Sequence, residues 1–209
     1  MPNGILARYR FTPSTEDVDA YALNATGAGP VTLLINEAPD QLAHKLLFVT
    51  TTDESLITAT IVGTDADGRP QREAHALPNN TTNYTAKYFK TVTAITLSAT
   101  VGADTFNVGY ADEFVSPSIM LNWESAVGAK FWLDITGTIN ADVQFSIADP
   151  ALFRDQNANI WVEPDSDLVA ETADTSAVQA IDAGYVCWRL QVNSYSAGAG
   201  ADVYVAQPR

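Results

Sequence analysis

Short runs in which every second residue is apolar constrain this chain more than any other feature. In residues 55–62, Ile57, Ala59 and Ile61 fall on one side and Thr58 and Thr60 on the other. That period of two belongs to a strand with one buried face. The run ends at Gly63-Thr64-Asp65-Ala66-Asp67-Gly68, a turn signal that Pro70 extends, and residues 71–76 return as the partner strand. Upstream, residues 31–35 and 45–51 also read as strands, interrupted by Gly27-Ala28-Gly29-Pro30 and by Pro39-Asp40. Downstream, residues 88–98 are rich in aromatic and β-branched side chains, and Gly102-Ala103-Asp104 turns the chain into residues 106–108. Consecutive hairpins are the simplest account of residues 57–109.

The second half repeats the style. Phe131, Leu133 and Ile135 alternate with Trp132, Asp134 and Thr136, and residues 141–147 carry Ala141, Val143, Phe145 and Ile147 on one face. The two runs meet at Thr138-Ile139-Asn140, which predicts another antiparallel hairpin. Val186, Trp188, Leu190 and Val192 share a face, and residues 196–200 turn the chain into 203–205. About ten strands at short spacing with little helix signal predict an all-β protein of antiparallel sandwich or jelly-roll-like modules. The polar Asp112-Glu113 and Ser116-Pro117-Ser118 cluster divides them into 1–115 and 116–209, in tandem. Residues 149–182, acidic and rich in Ala, read as a long loop or one short helix. Residues 57–68 and 132–143 echo each other (strand, Gly-Thr, polar turn), which leaves a duplication open.

Composition agrees with strands. Hydrophobic residues make up 46% of the chain and charged residues only 17%, so Thr, Ser, Asn, Gln and Gly must supply most of the polar surface. Scarce Lys and Glu beside many Thr and Val disfavour helix. The formal charge is −14, from 25 acidic and 11 basic residues. That field opposes nucleic-acid and anionic membrane partners and favours basic or neutral protein surfaces. The single cysteine, Cys187, cannot form an internal disulfide, which suits assembly in a reducing cytoplasm. The first eleven residues have no apolar segment long enough for a signal peptide, and no run reaches the length of a membrane span. A soluble intracellular product is the expectation.

The search for chemistry returns little. His44 and His75 stand in separate strand-like segments without other ligands at metal spacing, so both are expected as strand surface or interface residues. Cys187 falls on the strand face opposite the apolar set, with no His pattern nearby to activate it. Replacing His44, His75 and Cys187 together is expected to leave function intact apart from packing. Asp65-Ala66-Asp67-Gly68 resembles the start of a calcium loop, but Gly68 follows the second Asp directly and position 74 is Ala, not the Glu such a loop needs. A hairpin turn explains the same residues. Asp149, Asp155, Glu163, Asp165, Asp167, Glu171 and Asp174 can hold a cation only if their loop folds back, and otherwise keep it solvated. No nucleophile elbow or phosphate loop is present, and no catalytic, cofactor or metal residues are assigned. Trp123, Trp132, Trp161 and Trp188 can act as sugar-stacking platforms, although Trp188 lies on the apolar side of its strand, where core packing is the default.

Two stretches carry a resemblance. Residues 57–68, Leu77-Pro78-Asn79, then Tyr88-Phe89-Lys90-Thr91-Val92-Thr93-Ala94-Ile95-Thr96 with Val108-Gly109 resemble uncharacterised virion proteins of tailed bacteriophages. There an I-x-G-T-D-x-x-G hairpin precedes an F-K-T-V-T-x-I-T strand. Leu121-Asn122-Trp123, residues 136–144, Trp188-Arg189-Leu190-Gln191-Val192 and residues 203–207 look like the second module of the same proteins. The resemblance covers about two-thirds of the chain and is weakest over 149–182. It implies a non-catalytic part of the head or tail. The favoured role is a decoration, or cement, protein on the head surface, bound to the major capsid protein as a dimer or trimer. A neck or tail component is the alternative within the class, and a depolymerase or a carbohydrate-binding, receptor-recognising module is the rival outside it. Residues 1–19 and 149–182 are expected as arms that order on contact.

Overall fold

The computed structural model describes residues 5–121, 129–148, 161–162, 169–170, 172, 177–181 and 184–207. At residue 5 and over 102–104 and 177–181 it describes the backbone alone. The described residues contain thirteen strands and no helix. Nine strand pairings among the described residues are antiparallel. The all-β expectation holds, and the chain divides into two compact units, Ser14–Phe114 on one side and Met1–Pro13 with Val115–Arg209 on the other.

In the discontinuous unit, β1 (Ile5–Phe11), β13 (Gly200–Gln207), β9 (Ala129–Thr136) and β11 (Ala177–Ile181) form a four-stranded sheet in that order. Facing it, β10 (Ile139–Ser146) pairs with β12 (Cys187–Tyr195), which also pairs with the short β8 (Ile119–Met120). Alternation decides what lies between the sheets. Phe131, Leu133 and Ile135 of β9 and Val143 and Phe145 of β10 are fully buried. Phe131 meets Phe145 edge-on at 4.8 Å and Trp188 at 5.5 Å, while Tyr9 of β1 meets Trp188 at 5.2 Å. This is a sandwich core, with aromatic rings in the T-shaped contacts their quadrupoles favour.

Three expectations are corrected in this unit. First, the expected boundary at 115/116 falls close to the observed Phe114/Val115, but β1 does not belong with residues 14–114. Its backbone pairs with β13 from Ile5↔Gln207 to Phe11↔Ala201. Second, of the stretch 1–19 expected as an irregular arm, the described residues from Ile5 onward include β1 and the opening of the strand β2 (Asp17–Pro30). Third, β9 and β10 do not form a hairpin: β9 takes its partners from β11 and β13, and β10 from β12. Both strands bury an apolar face, so the chain crosses at Gly137 (φ 76°) to the facing sheet and the two faces meet. The echo between 57–68 and 132–143 therefore does not extend to strand pairing, since Thr58–Thr64 does pair with the next strand, Pro70–Ala76, as a hairpin.

In the Ser14–Phe114 unit, β4 (Thr58–Thr64) pairs with β5 (Pro70–Ala76) through the expected turn. On its other edge β4 pairs with the first residues of β7 (Thr91–Val115). β3 (Ala43–Thr50) lies between β7 and β6 (Thr82–Phe89), and β2 (Asp17–Pro30) also pairs along β7. The interior holds Tyr21, Leu46, Phe48, Ile61, Phe89, Ile95 and Phe106. Two more expectations change. Gly102-Ala103-Asp104 is not a turn but part of β7. Opposite Ala25 and Gly27, β7 advances from Phe106 to Val101, so the extra residues are absorbed as a bulge. Residues 31–35 alternate in burial as expected, yet lie outside the strands, tied by single bonds such as Val31 N–H to the Ile95 carbonyl (2.8 Å).

Candidate functional site

His44 points inward from β3 and is fully buried. Its Nδ1 is 2.9 Å from the Ala111 carbonyl oxygen and its Nε2 3.0 Å from Asp40 Oδ2. Both ring nitrogens thus face oxygen atoms. Asp40 also accepts the backbone N–H of Ser14 at 2.6 Å and of Leu42 at 3.0 Å. Burial pushes the Asp40 carboxyl up, but the hydrogen bonds from His44, Ser14 and Leu42 outweigh it and hold the group below the usual carboxylate range. The ring lies between Tyr110 and Phe114 at 5.1 and 5.7 Å. His44 is a core residue rather than the expected surface one, and its replacement is a large packing change.

His75 belongs to a seam. On β5 the alternate residues Gln71, Glu73 and His75 lie on the side half-turned from solvent, and each reaches toward β6. Gln71 Nε2 donates to the Tyr88 carbonyl. Glu73 accepts the backbone N–H groups of Ala86 and Lys87 at 2.8 and 2.9 Å. His75 Nε2 is 2.8 Å from Asn83 Oδ1, and its ring stacks on Phe48 at 4.9 Å. Side chains here satisfy edge groups that no backbone ladder meets. Burial raises the Glu73 carboxyl, and the bonds from His75, Ala86 and Lys87 bring it net below its ordinary value. The spacing of Gln71, Glu73 and His75 was the available signal, but nothing in sequence says that such a row faces a strand edge.

Cys187 is buried, and its Sγ lies 3.6 Å from the Ala148 carbonyl. It faces away from the Trp188 set as expected, yet both faces of β12 are covered at this point. The Asp65 turn is a turn: Asp65 Oδ1 accepts the N–H groups of Asp67 and Arg69, each at 2.9 Å, and Gly68 has φ 79°. Burial raises the Asp65 carboxyl despite those bonds. Among the described residues no group of three or more His, Cys, Asp or Glu side chains converges as a metal site. The seven acidic residues from Asp149 to Asp174 singled out above lie outside the described residues, as does Trp123.

The remaining tryptophans separate clearly. Trp188 is core, and Trp161 lies under the Arg189 guanidinium at 4.3 Å. Trp132 alone of these three stands out into solvent, at 47% exposure on the outer face of β9. Its register partner Tyr204 lies beside it on β13, ring centroids 5.7 Å apart, and Arg8 on β1 covers the Tyr204 ring at 5.5 Å. Sequence reading missed Tyr204 and Arg8, because their approach depends on pairing between the two ends of the chain.

No family model matches the chain, and no curated protein matches it. Among solved structures it is similar to the major capsid protein P2 from bacteriophage PM2, at 10% identity over 97% of each chain with a TM-score of 0.23. A likeness that distant carries no weight for fold or role.

Proposed function

We propose that the chain is a non-catalytic structural component of a tailed-phage virion, and more specifically a decoration protein on the head surface. One observation carries this reading. The two main stretches of the phage resemblance, 57–68 and 88–96, are separated in sequence but lie side by side. Ile61 pairs with Ile95 and Thr64 with Thr91, and the Thr64 and Thr91 hydroxyls are 2.7 Å apart. The resemblance therefore falls on one paired framework rather than on scattered strands. His44, His75 and Cys187 are engaged in packing and internal bonds, which is consistent with a role that rests on shape.

A cement protein binds a preformed lattice in many copies, so modest contacts sum to a large stabilisation. The net charge of −14 keeps such a protein soluble on a particle and off free nucleic acid. Its partner is the major capsid protein, and it acts as a dimer or trimer. The test is to assemble particles lacking the protein, then heat them or lower the ionic strength. Heads that leak DNA under milder stress than complete ones, with normal tails, support the role. Heads of full stability with failed tail attachment reject it in favour of the neck or tail.

A further inference from the structure

We propose that the outer face of the β1-β13-β9 sheet is a binding platform for a neutral oligosaccharide, centred on Trp132 and Tyr204. Register places Arg8, Tyr204 and Trp132 in one rung, since Arg8 pairs with Tyr204 and Tyr204 with Trp132. At the spacing of neighbouring strands the rung runs roughly 10 Å across the sheet. It presents a guanidinium, a phenol ring and an indole in series, with Arg8 held in place by a 2.6 Å bond from its Nη2 to Asp202 Oδ2. The aromatic pair is tilted by 43° and borders a shallow cleft of about 160 Å³. In the neighbouring rungs of β9 the exposed Asp134 and Lys130 flank Trp132, while Asp202 is buried and bonded to Arg8 and Arg10 and Leu6 stands exposed in the Lys130 rung.

A pyranose ring has an apolar C–H face and a rim of hydroxyls, so it can stack on the strip while its rim meets those groups. A protein hot spot also gathers Trp, Tyr and Arg, so a second copy of the chain is the occupant that the test below must separate. Nucleobases also stack, but a phosphate chain would meet a protein of net charge −14. Locally the charges nearly cancel: Arg8, Arg10 and Lys130 against Asp134 and Asp202 give 3 − 2 = +1. That balance suits an uncharged, hydroxyl-rich ligand. The proposal stands apart from the decoration role and can hold or fail without it.

The test is calorimetric titration of the full chain with neutral hexasaccharides of glucose, xylose, mannose and N-acetylglucosamine, one at a time. We expect at least one to bind at millimolar affinity or better. Trp132→Ala and Tyr204→Ala should each weaken that binding at least tenfold with unchanged circular dichroism, and Trp132→Phe should weaken it less. Leu56→Ala, at a 96% exposed position in the other unit, should have no effect. Absence of binding by all four sugars, or binding that survives Trp132→Ala, overturns the platform. A concentration-dependent dimer in light scattering that Trp132→Ala abolishes also overturns it, by giving the face to a second copy of the chain.

Discussion

Asp40→Asn is the sharpest probe of what His44 does. The Asp40 side chain is 4% exposed and that of His44 0%, so water screens their attraction little. The substitution keeps the shape, removes the carboxylate charge that His44, Ser14 and Leu42 hold, and sets an amide among N–H donors. Removing one partner of a buried pair costs about 3–5 kcal/mol. We expect the low end, about 3 kcal/mol, because His44 can keep its bond to the Ala111 carbonyl. Against a domain stability of about 5–15 kcal/mol that is a severe loss. The assay is a urea series read by hydrogen exchange of the β3 amides.

The pH dependence follows from the lowered Asp40 carboxyl. The unfolded chain takes up that proton first, at about pH 3.9. Stability from this group is therefore present above that value and fades as pH falls through the still lower folded one. The gap between wild type and Asp40→Asn should be full at neutral pH and shrink in acid. A variant within about 0.5 kcal/mol of wild type at neutral pH, the scatter of ordinary surface changes, would refute this account of the core.

Three further outcomes follow. Glu73→Gln should cost about 1 kcal/mol, less than a buried charged bond because the seam is partly wet, and should speed exchange of the Ala86 and Lys87 amides specifically. Gly63→Ala should cost about 3 kcal/mol, the upper end for overpacking, because a Cβ there overlaps the Thr91 carbonyl, and thermal denaturation will read the loss. The Cys187 thiol should resist a disulfide reagent in the folded protein and react at the unfolding rate once denaturant is added.

Alternation alone marked Ile57-Ala59-Ile61, Phe131-Leu133-Ile135 and Trp188-Leu190-Val192 as apolar strand faces, and all of these residues are buried. The Asp65 turn was equally legible, because its residues make their bonds to one another over four positions. Nothing local sets which strand lies beside which. Phe131 and Phe145 both need an apolar neighbour, and a hairpin or a crossing between sheets serves that need; packing the two faces together chose the crossing. Gly102 reads as a turn until the bulge opposite β2 is seen, since glycine serves both. The sites were less legible still. His44 gave no sign of Asp40, because a charge is tolerated in a core only where distant backbone and side chains converge on it. Trp132 gave none of Tyr204 and Arg8. Those residues stand 72 and 124 positions away, and only the pairing of β1, β13 and β9 brings them into one rung. The period of a strand is written in neighbouring residues, whereas the identity of its partner depends on the free energy of the whole fold.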